Sequence, residues 1–230
     1  MLRHTAFFML REGNGPEEMG WMQKGSAYMR FTAAGPVAID FGSDLFGGSL
    51  RLSETKPWDR TPRWRGATEG PPCDYDVALH LDFENEEGLE AYNKDDVHHE
   101  IAVYNASVCQ GELTARIDWN YEGDPLISPG HVRHAAMFIW RDGLDEDAKE
   151  RALAEVKRLG EEPGVERITL GTGVGSLRTD YDWIVDLQLP DRETAERLVH
   201  GDGYRRSMLA LSSVTKYEWT ARLTHTMHGH

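Results

Sequence analysis

The chain has 230 residues, 40% of them hydrophobic, and a formal net charge of -14 at pH 7. This length and apolar content suffice for one large or two small domains, each with its own core. The acidic charge argues against nucleic-acid binding, because phosphate contacts need a basic surface. No apolar run approaches the roughly 20 residues that cross a bilayer, and the N-terminus lacks a signal-peptide pattern. We therefore expect a cytoplasmic protein without a nucleic-acid or membrane partner.

The first half of the chain alternates between strand and helix patterns. The spacing of its apolar residues predicts strands over 2–11, 37–41, 75–83 and 115–121 and helices over 16–31, 86–92 and 98–108. Asn85 stands where it can cap the second of these helices. In the strand that begins at Tyr75, three polar side chains share the face opposite to the apolar set; they are Asp76, His80 and Asp82.

The second half repeats this plan. Its apolar spacing predicts strands over 132–141, 165–170, 181–189 and 215–223 and helices over 145–160 and 191–199. Four short matches link the two halves in the same order: 3–8 with 133–138, 48–51 with 175–178, 74–83 with 179–189, and Asp118-Trp119 with Glu218-Trp219. Because ordered matches of this kind are typical of a duplicated unit, the chain is interpreted as a tandem repeat.

Each half follows the order β-α-β-β-α-β, which is the ferredoxin-like unit. A four-stranded sheet with helices on one face must bury its other face, and two such sheets packed together solve this problem. We therefore predict an α+β fold in which two ferredoxin-like units form one barrel within the chain. The first unit is predicted over 1–122 with an insert at 52–73, and the second over 131–230. The Pro- and Gly-containing segment 123–130 is the predicted linker.

Three segments of the first half resemble the stress-responsive dimeric α/β-barrel (Dabb) family: LRHTAFFML, DYDVALHLDFENEEGLEAY and NKDDVHHEIAVY. In that family two ferredoxin-like units form a barrel, usually between two chains. Within the family the first half is similar to olivetolic acid cyclase, which catalyses an intramolecular aldol condensation without metal or organic cofactor. The resemblance implies that Tyr92, His98 and His4 occupy functional positions. Because His99 replaces a valine of that pattern, either His98 or His99 is the one that faces the cavity.

The chemistry of these residue types fits an enolate-forming reaction. Such a reaction needs a base of near-neutral pKa, which histidine supplies, and a donor for the developing oxyanion, which tyrosine supplies. We predict His98 as the base and Tyr92 as the oxyanion donor, with His4 or His80 as an orienting partner. Asp76 or Asp82 is expected to hold an imidazole tautomer through a hydrogen bond.

The second half lacks this pair of residues. Leu198 stands at the position of Tyr92, and Gly203 or Tyr204 stands near the position of His98, although His134 is present. A single working site in the first unit is therefore predicted.

The insert 52–73 has no counterpart in the second half. Residues 51–65 carry five positive and two negative charges, and the insert contains Trp58, Trp64 and Arg63. One interpretation is a lid whose tryptophans cover an aromatic substrate and whose arginines attract its carboxylate or enolate. The other is a solvated surface flap that pairs with acidic neighbours.

The sequence thus favours a cofactor-independent polyketide cyclase or lyase that acts on a small aromatic or polyketide-like carbonyl substrate. Two alternatives stay open: a cofactor-free monooxygenase of phenolic polyketides, and a non-catalytic small-molecule-binding stress protein. No metal is expected, because the chain has no HExxH motif and no paired-cysteine motif. A metal site built from His4, His80, His98 and an aspartate is the competing hypothesis. The sequence leaves open whether the internal barrel also forms a homodimer.

Overall fold

The computed structural model describes residues 1–46, 73–174 and 180–229. The first half forms β1 (Leu2–Phe8), α1 (Pro16–Thr32), β2 (Ala38–Ser43), β3 (Cys73–Asp74), β4 (Val77–Phe83), α2 (Glu86–Asn93), α3 (Asp96–Val108) and β5 (Ala115–Asn120). The second half forms β6 (Val132–Phe138), α4 (Glu146–Lys157), β7 (Arg167–Thr172), β8 (Trp183–Leu189), α5 (Arg192–His200), α6 (Asp202–Val214) and β9 (Ala221–Thr226). Short 3-10 turns lie at Gly111–Leu113, Arg158–Glu161 and Tyr217–Trp219.

These strands form two sheets, with the orders β2-β4-β1-β5 and β3-β9-β6-β8-β7. All pairs are antiparallel except β3 with β9, which brings a segment of the first half into the second sheet. We call the elements from β1 to β5, without β3, the first unit and those from β6 to β9 the second unit. The predicted α+β fold of two ferredoxin-like units is confirmed.

The two sheets close into a barrel along both pairs of edges. On one side Trp119 of β5 pairs with Gly173, just after β7, and the N–H of Val174 donates to the carbonyl of Asp118 at 2.8 Å. On the other side the N–H of Leu45, after β2, donates to the carbonyl of Thr224 in β9 at 2.8 Å. The barrel therefore closes within a single chain.

Two glycines allow the edge strands to approach this closely. Gly171 of β7 lies against the indole of Trp119, and Gly42 of β2 lies against the imidazole of His225. A Cβ atom at either glycine would overlap the neighbouring ring. Since neither ring can move freely in a packed interior, both positions require glycine.

Paired charges fill part of the space between the sheets. Arg3 donates to both carboxylate oxygens of Asp82 at 2.7 Å and to Asp186 at 3.2 Å. Arg133 donates to Asp40 at 2.6 Å and to Asp186 at 3.3 Å. All five side chains are buried. We call these five residues the interior ion network; because Asp186 accepts from both arginines, the network joins the two sheets.

The sequence-based prediction is wrong at the end of the second unit. Residues 215–223 were predicted as a strand, whereas α6 runs to Val214 and β9 begins only at Ala221. Helix α6 was not predicted. The error comes from matching Glu218-Trp219 with Asp118-Trp119. In the sheets His4 pairs with Asp118 and His134 pairs with Thr224, so Thr224 is the true counterpart of Asp118.

The interior ion network predicts the effect of removing one partner. Arg3→Met would leave the buried carboxylate of Asp82 without its guanidinium. Because an unpaired buried charge is strongly unfavourable, we expect the free energy of unfolding to fall by about 3–5 kcal/mol, measured by urea denaturation. Arg205→Met, which removes an exposed pair with Asp202, is the control and should leave stability unchanged within error. An Arg3→Met variant as stable as the parent would contradict this account.

Candidate functional site

A pocket of about 540 Å³ lies in the first unit, between the sheet and helices α2 and α3. This volume falls within the range of small-molecule sites. Apolar side chains such as Phe8, Leu79 and Ile101 form part of its wall. The polar residues on the wall that matter below are His4, Tyr92, His98, His99, Asn105 and Asp118.

Strand register brings His4 and Asp118 together. The two residues are directly paired across β1 and β5, and their side chains lie on the face that the helices cover. The His4 Nδ1 atom lies 2.6 Å from the Asp118 carboxylate. Since a carboxylate can only accept, Nδ1 carries the proton, and the Nε2 lone pair of the neutral imidazole is left for the pocket. Asp118 also stabilises the imidazolium that forms when Nε2 takes up a proton.

The N-terminus of α3 positions His98. The Asp95 side chain accepts hydrogen bonds from the backbone N–H groups of Val97 and His98 and so caps the helix. The His98 Nδ1 atom donates to the carbonyl of Tyr92 at 3.0 Å, and the two rings stack with their centroids 3.9 Å apart. This bond fixes the tautomer in which His98 Nε2 has a lone pair, and no hydrogen bond to Nε2 is found among the described residues.

The electrostatics of the pocket favour a neutral His98. Burial, and after it the positive charge on His4, lower the pKa of His98 to about 4 from 6.5, although the backbone bond to Tyr92 raises it. His98 is therefore uncharged near neutral pH, and proton uptake at His4 opposes a second positive charge. The two histidines thus differ in environment: His4 is supported by a carboxylate and His98 is not.

Tyr92 is buried beneath His98. Its hydroxyl lies 3.7 Å from the sulfur of Met29, a weak acceptor. Burial and the charge of Asp95 raise the pKa of Tyr92, so the phenol stays protonated. The predicted role of oxyanion donor stays a prediction, because in this conformation the hydroxyl is directed at a thioether. The ring stacking shows a second role, which is to hold the His98 imidazole.

Asn105 of α3 adds a buried polar group that sequence reasoning missed. The residue is 6% exposed, lines the pocket, and its Oδ1 atom has no hydrogen-bond partner among the described residues. A buried amide oxygen without a partner is unfavourable, so a donor on a bound molecule would stabilise it. The neighbouring Cys109 is a poor nucleophile, because burial and the charge of Asp76 raise its pKa to about 12.

Strand alternation excludes two of the predicted residues from the pocket. His80 and Asp82 lie on the opposite face of the sheet, inside the barrel. His80 Nδ1 lies 3.1 Å from the Thr5 hydroxyl, and its ring stacks on His225. Asp82 pairs with Arg3. The expected roles of His80 as orienting partner and of Asp82 as imidazole-holding carboxylate are therefore wrong, since neither faces His4 or His98.

The remaining predicted residues have mixed outcomes. Asp76 accepts a hydrogen bond from the N–H of Leu10 at 2.9 Å, beyond the end of β1, and does not line the pocket. It is therefore Asp118, and neither predicted aspartate, that holds an imidazole. His99 lines the pocket beside His98. The predicted lid residues lie outside the described part of the chain: Trp58, Arg63 and Trp64.

The equivalent place in the second unit is filled. His134, the counterpart of His4, has Nδ1 2.7 Å from the Thr224 hydroxyl and Nε2 2.9 Å from the Tyr204 hydroxyl. Both ring nitrogens thus have internal partners. Burial and the nearby charge of Arg222 lower the pKa of His134 to about 3. This arrangement leaves no free lone pair on the His134 ring, and a single working site in the first unit stays a prediction.

The described residues contain no group of three or more His, Cys, Asp or Glu side chains placed to hold a metal ion. The competing metal hypothesis also fails on geometry, because the sheet separates His80 from His4 and His98. Every helix in the described part of the chain is too short or too polar to cross a membrane. Homodimer formation stays a prediction.

No protein-family model matches the sequence, and no curated protein is significantly similar to it. Solved structures share the fold. An anthrone oxidase-like protein has a TM-score of 0.65 at 11% identity and covers 100% of this chain and 92% of its own. A candidate monooxygenase from Fusobacterium nucleatum has a TM-score of 0.55 at 10% identity, and the match covers 99% of this chain and 92% of that one. A candidate monooxygenase from Lactobacillus acidophilus has a TM-score of 0.50 at 13% identity, and the match covers 99% of this chain and 93% of that one.

At such identities the likeness shows the fold alone. The chain thus shares its fold with these three structures over 99–100% of its length. Membership of the Dabb family and the resemblance to olivetolic acid cyclase stay predictions.

The environment of His98 predicts its titration. Its pKa is about 4 in the folded chain and 6.5 for an ordinary histidine, which represents the unfolded chain. Between pH 4 and pH 6.5 the unfolded chain therefore binds one more proton at this residue. The contribution of His98 to stability therefore decreases as pH falls from about 6.5 to about 4. We expect its ring resonances, identified by their loss in His98→Gln and followed by NMR, to remain those of a neutral imidazole at pH 5.5. A transition centred near 6.5 would contradict the proposed environment.

Proposed function

We propose that the chain is a small-molecule enzyme that acts in the pocket of the first unit by removing a proton from a carbon acid or a phenol. The observation that carries this proposal is the pair of His4 and Asp118, 2.6 Å apart, on the wall of a pocket that also contains the neutral His98. An imidazole whose Nδ1–H is held by a carboxylate can act as a general base through its Nε2 lone pair.

The geometry favours His4 as the base in place of His98, which the sequence suggested. Proton uptake at His4 Nε2 creates an imidazolium that Asp118 stabilises through Nδ1–H. His98 has no such carboxylate partner on its ring, and its Nδ1 donates to a backbone carbonyl instead. His98 Nε2 is then the acceptor that orients an O–H group of the substrate, while the stacked Tyr92 ring holds the imidazole in place.

The other pocket residues suit a planar, partly apolar substrate. Phe8, Leu79 and Ile101 offer apolar contacts, and the unpartnered Oδ1 of Asn105 accepts from a hydroxyl. The carbanion or phenolate forms next to the His4 imidazolium, and the positive charge of the imidazolium stabilises this anion. No cofactor is required for this first step, because the base, its supporting carboxylate and the orienting group all belong to the chain.

Two reactions can follow. In a cyclase, the enolate attacks a carbonyl carbon of the same molecule and forms a carbon–carbon bond. The π bond of that carbonyl breaks, and its oxygen takes up the proton held by the His4 imidazolium. The sequence resemblance to olivetolic acid cyclase supports this route. In a monooxygenase, the carbanion reacts with dioxygen: a methylene carbon loses two hydrogens, one oxygen atom becomes its carbonyl oxygen, and the other leaves as water. The methylene supplies all four electrons, so no external reductant is needed. The anthrone oxidase-like structure supports this second route by analogy of fold.

The proposed base predicts a ranking of variants. His4→Gln removes the base and should lower kcat by about 100-fold or more, and Asp118→Asn should lower kcat because the imidazolium loses its partner. His98→Gln should raise KM more than it lowers kcat, because it orients substrate. Steady-state kinetics would measure all three, with exposed His200→Gln as the unchanged control. Equal kcat in His4→Gln and the parent enzyme would refute the assignment of His4.

Oxygen uptake distinguishes the two routes. Anthrone has an acidic methylene between two aromatic rings and is a suitable probe. A monooxygenase should consume one dioxygen per anthrone and form the corresponding quinone, whereas a cyclase should show no enzyme-dependent uptake. An oxygen electrode with product mass spectrometry would measure this, with His4→Gln as the inactive control. If His4→Gln binds aromatic ligands as tightly as the parent and no turnover is found with any carbon acid, the protein is a binding protein instead.

A further inference from the structure

The second unit has a groove of its own, away from the proposed active site. Its volume is about 690 Å³, and it lies between the N-terminal part of α4, the end of β7 and the start of β8. It also includes the segment 140–144 that follows β6. None of its lining residues lines the pocket of the first unit.

Stacked aromatic rings form one wall of this groove. The rings of Phe138 and Trp183 have centroids 4.4 Å apart, and those of Trp183 and Trp140 are 5.1 Å apart, with interplanar angles of 20° and 21°. Trp183 is buried, whereas Trp140 is partly exposed. Both tryptophans line the groove. The stack therefore holds Trp140 in one orientation, so that its ring is a preformed surface for a planar group.

The duplication supplies an internal comparison. Leu10 in the first unit is the counterpart of Trp140: its N–H donates to Asp76 at 2.9 Å, and that of Trp140 donates to Asp182 at 2.7 Å. Phe8 and Phe138 are equivalent residues of the two units. Phe8 pairs with Val77 across the strands and Phe138 pairs with Trp183, so Val77 is the counterpart of Trp183. The first unit closes this corner with two aliphatic side chains, so the backbone does not require tryptophan here.

The rest of the groove is acidic. Five carboxylates line it within the described residues: Asp142, Glu146, Glu150, Asp180 and Asp182. Against them stand Arg141 and Lys149. The Arg141 guanidinium donates to the carbonyls of Ser212 and Thr215 near the C-terminus of α6, and Lys149 pairs with Glu146 at 2.7 Å. Arg141 keeps its positive charge, because carbonyls are neutral, and Lys216 pairs with Asp142 at 3.2 Å. Among the described residues the five carboxylates outnumber these three cations, so the groove has a net negative potential.

One buried donor in the groove wall has no partner. Trp183 Nε1 has no hydrogen-bond acceptor among the described residues, although the residue is 2% exposed. A buried N–H group without an acceptor is unfavourable. A ligand oxygen would satisfy it.

We propose that this groove binds a small organic cation that carries an aromatic ring and an oxygen atom, such as a hydroxylated arylalkylamine. The ammonium group is attracted by the carboxylates and by the face of Trp140, the ring stacks on that indole, and the oxygen accepts from Trp183 Nε1–H. This site is independent of the proposed reaction in the first unit.

Tyramine is a probe that has all three features, and tyrosol is its matched control because only the ammonium is replaced by a hydroxyl. Isothermal titration calorimetry at low ionic strength should show tyramine binding at least about tenfold more tightly than tyrosol, and the difference should decrease as salt is added. The anion 3-(4-hydroxyphenyl)propionate should not bind. Equal affinities for tyramine and tyrosol, or no tyramine binding at millimolar concentration, would overturn the proposal.

Variants locate the site. Trp140→Leu installs the residue of the first unit and should lower tyramine affinity about tenfold, and Trp183→Phe keeps a stacked ring while removing the N–H and should weaken binding as well. Trp21→Leu, at an exposed tryptophan of α1, is the control and should bind as the parent does. Thermal unfolding would show that each variant is folded. Tyramine binding should persist in His4→Gln, and unchanged affinity in a folded Trp140→Leu variant would refute the assignment.

Discussion

The interior ion network determines which face of each sheet is inside the barrel, and the location of the candidate pocket follows from it. Arg3 and Arg133 face each other's sheet, because a buried guanidinium needs carboxylate partners, and Asp40, Asp82 and Asp186 supply them between the sheets. Side chains alternate along a strand, so the next residue, His4, faces the helices. The candidate pocket therefore lies between a sheet and its helices, and the space between the sheets is occupied by the network and packed side chains.

The two units use one backbone plan for different purposes. In the first, His4 pairs with Asp118 and leaves a cavity; in the second, the Tyr204 hydroxyl bonds to His134 and fills it. At the opposite end of the same sheets it is the second unit that has the open space. There the first unit has aliphatic side chains, and the second has stacked tryptophans beside a groove. A duplicated chain can change the two copies separately because each has its own core. Both copies thus offer a surface of distinct chemistry.

The chemistry of the first pocket is consistent with its electrostatics. The carboxylate of Asp118 accepts from His4 Nδ1, whereas the lowered pKa of His98 keeps that second ring neutral. The solved structures share the fold of this chain, yet a fold does not specify a reaction, which depends on the residues that line the cavity. The side chains of Asp118, His4 and Asn105 therefore distinguish this cavity from others of the same fold.

The sequence by itself determined the repeat and the α+β class, since these follow from short-range periodicity, and the need to bury a second sheet face predicted the closure of the two units into a barrel. The resemblance to olivetolic acid cyclase implied that His4, Tyr92 and His98 occupy functional positions, and all three line the pocket of the first unit. It misplaced the last strand, because a two-residue match cannot define strand register. Only the tertiary structure decided that Asp118 supports His4 and that His80 faces away. Pairing across strands and the choice of buried face are long-range properties, and no local pattern of residues specifies which distant carboxylate will lie beside a given imidazole.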